Sequence, residues 1–164
     1  MTAHVSATSL RIATALLAGV FLLLPLPAFA VLGDTAASVL SDQARLKGTL
    51  RSTDMQSYVV HEITTQANVV REYVSPAGVV FGVAWEGQFP PDMQQLLGPY
   101  YQQAQSAQAA SKQAATQQPR ARRAPVVVET PGLVFYETGH MRSFHGQAYI
   151  PQLMPQGVQA GDVR

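Results

Sequence analysis

Residues 58–87 read YVVHEITTQANVVREYVSPAGVVFGVAWEG, and no other stretch constrains the fold so tightly. β-Branched and aromatic residues alternate with polar ones in short runs, and two turn signals separate the runs: Thr65-Gln66-Ala67-Asn68 and Ser75-Pro76-Ala77-Gly78. Pro76 and Gly78 stand at the second and fourth positions of the latter, as a type I turn prefers. The pattern predicts three antiparallel strands at about 58–64, 69–74 and 79–86.

Register follows from the turns. A first hairpin turning about residues 66–67 sets Glu62 opposite Arg71, His61 opposite Glu72 and Val60 opposite Tyr73, and both polar pairs are complementary. If the second hairpin pairs 74 with 79, one face collects Val59, Ile63, Val70, Val74, Val79, Phe81, Val83 and Trp85, and carries His61 and Glu72 with them. A carboxylate beside an imidazole raises its pKa and orients its ring, so His61 with Glu72 is the catalytic candidate of this chain. Its plainer reading is a satisfied polar pair at the sheet margin. Glu62 with Arg71, on the opposite face, reads as a surface pair worth at most about 1 kcal/mol.

The first thirty residues belong to a different kind of segment. Arg11 precedes an almost unbroken apolar run from Ile12 to Leu26, followed by Pro25, Pro27 and Ala28-Phe29-Ala30. These are the parts of a secretory signal peptide, with cleavage expected after Ala30, and the run is short for a membrane span. Residues 31–164 are then expected to form one exported domain, in the periplasm or outside the cell, with no stable membrane anchor after cleavage. The chain has no cysteine, which excludes disulfides, zinc–cysteine sites and thiol nucleophiles. With 11 Lys+Arg against 10 Asp+Glu it lacks the positive excess that nucleic-acid binding requires, so no nucleic-acid partner is expected.

Residues 34–46 read as a short helix, capped by Asp34, with Val39, Leu40 and Leu46 as its apolar stripe and Gly48 as its left-handed C-terminal residue. Beyond the strands, Asp92 can cap a helix with Met93, Leu96, Leu97, Tyr100 and Tyr101 on one side, and Pro99 should interrupt it. Gln102 to Gln118 is Gln, Ala and Ser with almost no apolar stripe. It suggests a helix projecting into water and fraying into a mobile linker that holds Arg120, Arg122 and Arg123, a Gln/Ala-rich and Arg/Pro region at about 102–125. Val126 to Glu129, Leu133 to Thr138 and Met141 to Tyr149 supply two or three more strands, with turns at Thr130-Pro131-Gly132 and Gly139-His140. The fold class is therefore α+β: an antiparallel sheet of about five to six strands, one long helix packed on it and a short N-terminal helix.

Motifs that would announce an activity are missing. There is no G-x-S-x-G elbow, no phosphate-binding loop and no dinucleotide fingerprint, and His61-Glu62-Ile63-Thr64-Thr65 lacks the second histidine of a zinc-protease helix. His140 and His145 are five apart, which on one strand puts them on opposite faces, so no metal and no cofactor is expected. His140, Arg142, Phe144 and His145, near Gly139 and Gly146, form the best polar and aromatic surface for a ligand or partner.

At REYVSPAGVVFGVAWEGQFPPDMQQLLGPYY and again at PGLVFYETGHMRSFHGQAYIPQLMPQGV, the chain resembles a family of uncharacterised secreted proteobacterial proteins, domain of unknown function 2844. The similarity runs from about Leu32 to Arg164 and takes in the Ala37-Ser38-Val39-Leu40 helix and the Arg45-Leu46-Lys47-Gly48 step. The resemblance implies an exported protein and supplies no activity, cofactor or catalytic residue. The Gln/Ala-rich insert and Arg cluster look like its variable part. Three functions stay open: a non-enzymatic binding module of the envelope, whose partner is an envelope or secreted protein; a structural accessory to surface assembly; and a small hydrolase or proton-transfer enzyme using a His–Glu pair. The non-enzymatic readings are preferred.

Overall fold

A computed structural model describes residues 32–117 and 124–164. The expected cleavage site and the Arg cluster at 120–123 lie outside the described residues. One antiparallel sheet of seven strands organises the described chain: β1 (Thr49–Asp54), β2 (Val59–Thr64), β3 (Asn68–Val74), β4 (Val80–Gly87), β5 (Val126–Thr130), β6 (Leu133–His140) and β7 (Ser143–Tyr149). Their spatial order is β1-β2-β3-β4-β7-β6-β5, a run of hairpins with one return: the chain leaves β4, crosses by helix to the far edge and comes back beside β4 through β7. The helices are α1 (Ser38–Leu46), α2 (Met93–Leu97) and α3 (Tyr101–Gln117). The architecture is α+β, with a long helix and a short N-terminal one.

The first hairpin has the register its charges specify: Glu62 faces Arg71, His61 faces Glu72 and Val60 faces Tyr73. The second departs from expectation. Val74 pairs with Val80 and Glu72 with Val83, with a bulge between Tyr73 and Val74. The extra residue turns Phe81 to the outer face, where its ring meets Tyr58 edge-on at 5.8 Å and packs with Tyr73, and it leaves Val79 outside the strand. Val83 and Trp85 keep the inner face.

Seven strands replace the five or six read from the sequence because β1 carries one apolar residue, Leu50, in Thr-Leu-Arg-Ser-Thr-Asp. A largely exposed edge strand needs no hydrophobic alternation, and so carries none for a sequence to reveal. The second late turn also differs: it falls at Met141-Arg142, with Arg142 in the left-handed region at φ 63°, and not at Gly139-His140. Gly139 sits inside β6 opposite Phe144, where a Cβ would come within 2.8 Å of the Ser143 carbonyl. That glycine makes room for Phe144 instead of turning the chain.

The main core lies between the inner sheet face and the helices. Val70, Val83, Trp85, Phe135 and Ala148 meet Leu32, Val39, Met93, Leu96, Leu97 and Ala104 there. A second, smaller core on the outer face joins Tyr73, Phe81, Ala84 and Tyr149 to Val163 of the C-terminal segment. The Tyr73 hydroxyl pins that segment, donating to the Arg164 carbonyl at 2.5 Å and accepting from the Arg164 N–H at 2.9 Å.

Helix termini partly follow the sequence reading. Asp92 caps α2, its Oδ1 accepting from Gln95 N–H at 3.0 Å, and Gly98-Pro99-Tyr100 forms a 3₁₀ turn that separates α2 from α3. α1 begins later than expected, at Ser38, with Ala37 at the cap position and no side-chain cap, while Asp34 accepts from the Thr35 N–H instead. Its left-handed terminal residue is Lys47 at φ 53° and not Gly48. Gly48 is needed for close approach to β2, since a Cβ there would lie 2.9 Å from the Thr64 carbonyl. α3 does not simply project into water: Ala104 is buried and the helix packs against β5.

Candidate functional site

Three places concentrate the chemistry. The first is the interior beneath β3. Glu72 points inward from the centre of β3 and is 1% exposed, and Asp42 points inward from α1 and is fully buried. The two carboxyls act on one another: Asp42 raises Glu72 by its charge, and Glu72 holds Asp42 down. Gln95 of α2 donates its Nε2–H to Asp42 Oδ1. With both groups ionised, Asp42 Oδ2 and both Glu72 oxygens have no donor, since two carboxylates are acceptors only. With a proton on the pair, one carboxyl donates to the other. Burial, reinforced by the Asp42 charge, pushes Glu72 up to about 9, and burial raises Asp42 to about 6 against the opposing Gln95 hydrogen bond. The pair therefore holds a shared proton at neutral pH, as close carboxyls removed from water must.

His61 stands opposite Glu72 in the ladder, as the charges suggested, but its hydrogen bond runs the other way: Nδ1 meets Ser52 Oγ of β1 at 2.7 Å. Burial lowers its pKa, contrary to the rise a carboxylate partner would cause. Glu72 takes Asp42 as its partner. The sequence carried a signal for this: Asp42 falls three residues after Val39 and four before Leu46, a carboxylate in the middle of the apolar stripe of α1.

The second place is a cleft of about 540 Å³ between α3 and the ends of β5, β6 and β7. Met93, Tyr101, Val126 and Phe144 give it apolar and aromatic walls, and Gln94, Ser111, Lys112 and Thr138 give it a polar lining. Glu137, its inward carboxylate, accepts from Gln108 Nε2 at 2.6 Å, a bond that ties α3 to β6 across the cleft.

The third is the tip of the β6–β7 hairpin. His140 pairs with Ser143 and Thr138 with His145, so His140 and His145 share a sheet face because a two-residue turn lies between them. They were expected on opposite faces, a result that would hold only for one continuous strand. Arg142, Phe144 and His145 line a shallow recess of about 330 Å³ with Glu86, Gly87 and Gln88, and Phe144 borders the larger cleft too. Met141 at the tip is 94% exposed. Among the described residues no group of three or more His, Asp or Glu is placed to hold a metal, and no described helix is long and apolar enough to cross a membrane.

On the remaining, outer face Arg71 bridges two carboxylates, with Nε 2.9 Å from Glu62 and its other end 2.8 Å from Glu86. This is the surface pair expected from the register, extended by one strand.

An antiparallel sheet covered by helices, with a sealed carboxyl pair and an open aromatic cleft, defines a small α+β domain with a ligand-sized surface recess. The family model described as protein of unknown function (DUF2844) matches residues 28–163, and the chain belongs to that family. No curated protein and no solved structure matches the chain.

Proposed function

We propose that the protein is exported and serves as a non-enzymatic binding or accessory module of the cell envelope, with the cleft between α3 and the β6–β7 ends as its recognition surface. One observation carries this reading: the open cleft is a recognition lining, and the reactive carboxyls are elsewhere. Its walls are Tyr101, Phe144 and Met93, its lining includes the neutral amide and hydroxyl groups of Gln94 and Ser111, and its Glu137 is held by Gln108. Apolar walls with a few fixed polar groups are what small-ligand and peptide sites share. Enzymatic use of His61 with Glu72 would need Glu72 to be reachable, and its side chain is sealed against Asp42. Export rests on the Arg11, apolar and Ala28-Phe29-Ala30 sequence pattern.

The test has two arms. Fractionation of cells expressing the full chain, with N-terminal sequencing of the product, should recover a protein beginning at Val31 in the envelope or the medium; an intact chain retained in the cytoplasm ends the export reading. Crosslinking capture with the wild type and with Phe144→Ala and Ser111→Ala variants should give a partner whose recovery falls at least about tenfold with the cleft variants at unchanged melting temperature. Equal recovery with all three would remove the cleft.

A further inference from the structure

The buried carboxyls have a consequence independent of any ligand. α1 is held by few groups: three of its residues are buried, Ser38, Val39 and Asp42, and its first turn has no side-chain cap. One of those three anchors is the carboxyl that faces Glu72. The flanks of α1 are fastened separately. Before it, Gly33 N–H and Ala36 N–H donate to the Val80 and Gly78 carbonyls, and Thr35 bridges to Val79; after it, β1 joins β2. The helix is a segment between two fixed points, and Asp42 is its ionisable contact with the interior.

We propose that Asp42 and Glu72 form a proton-operated latch on α1: docked, the helix shares a proton with the sheet through the two carboxyls, and loss of that proton releases it. The geometry requires the proton. Three oxygens of the pair are buried without donors when both groups are ionised, and the one donor reaching them, Gln95, is already committed to Asp42 Oδ1. Two adjacent buried carboxylates repel and lose their hydration, a combination that interiors do not hold.

Among the described residues no cation hydrogen-bonds the three donorless oxygens. On α1, Arg45 is exposed and draws Asp42 down by charge, and Asp92 at the head of α2 pushes it up. From β2, His61 lies opposite Glu72 but is bonded to Ser52 and is shifted toward its neutral form. From β4, Val83 lies opposite Glu72, with Trp85 two residues on; Trp85 Nε1 is buried without a partner. Arg71 with Glu62 and Glu86 sits on the other face of the sheet.

Release is written as docked α1 with a protonated pair going to undocked α1, a solvated Glu72 carboxylate and a proton in water. One proton leaves, so the opening constant rises tenfold per pH unit wherever the docked form keeps the proton and the open form has lost it. With Asp42 ionised in both states, that interval runs from about 6 to about 9.

Hydrogen exchange of the full chain between pH 6 and pH 8 tests this, with each rate divided by the intrinsic rate of an open amide. The α1 amides should then show an opening constant that rises about 100-fold and stays well above that of central β3 and β4, which open only with the whole fold. Glu72→Gln, which keeps the shape and removes the titration, should make the α1 constant independent of pH. A wild-type α1 constant that does not change with pH or that equals the β3 and β4 constant, or a Glu72→Gln protein that keeps the same slope, overturns the latch. Should the variant fail to fold, carboxyl ¹³C titration of the native chain decides: a Glu72 midpoint above 7 supports the latch, and one at the ordinary glutamate value refutes it.

Discussion

Trp85 fills the centre of the main core, and its packing depends on a residue with no side chain. Gly146 lies directly opposite it on β7, and a Cβ placed there would strike the indole and come within 2.6 Å of the Tyr136 carbonyl. Backbone on one side and a fully packed ring on the other leave no direction for relief. Gly146→Ala should therefore destabilise the fold by about 2–3 kcal/mol, measured as a lowered urea midpoint at unchanged slope. The same scale shows where sequence reading succeeds and fails. Charge complementarity assigned His61 to face Glu72 correctly along the backbone. Which side chain Glu72 touches was not legible from the strands, because its partner Asp42 lies 30 residues earlier on a helix that packs across the sheet.

Elements were legible in proportion to their periodicity. β2, β3 and β4 alternate and were placed to within a residue or so of their observed bounds, while β1, with Leu50 alone, was not. The bulge at Tyr73/Val74 was invisible because a one-residue insertion leaves composition and turn signals intact while exchanging the face of Phe81. Capping was readable where a side chain does the work. Asp92→Ala should cost about 1 kcal/mol by freeing the Gln95 N–H, and the loss should appear as faster amide exchange in α2 first. A matching substitution at Asp34 should leave α1 unchanged, because Asp34 bonds to its own neighbour and not to the helix.

For the whole molecule, the buried pair sets the sense of its pH dependence. Glu72 has a folded pKa of about 9 against an ordinary 4.5, and Asp42 about 6 against 3.8, so the folded state binds protons that the unfolded state has released. Stability is then fully present below about pH 4 and declines as pH rises through about 9. His61 acts in the opposite sense below 6.5, since burial lowers its pKa. Urea midpoints taken at pH 5, 7 and 9 should fall in that order, and Glu72→Gln should flatten the series. Midpoints that rise across the range would mean that the pair is ionised in the folded state.

The strands with strong alternation, the first hairpin register, the Pro99 interruption, the α+β class and the family resemblance are all legible in the amino-acid sequence. Each is written in neighbours a few residues apart, where turn chemistry, period and charge pairing act. Tertiary structure alone decided the edge strand β1, the face of Phe81, the meeting of His140 and His145 on one side of a hairpin, and the union of Asp42 with Glu72. Those depend on how separate elements stack. An inward carboxyl looks the same in a sequence whether its partner is a cation, a water or a second acid, and only packing chooses among them.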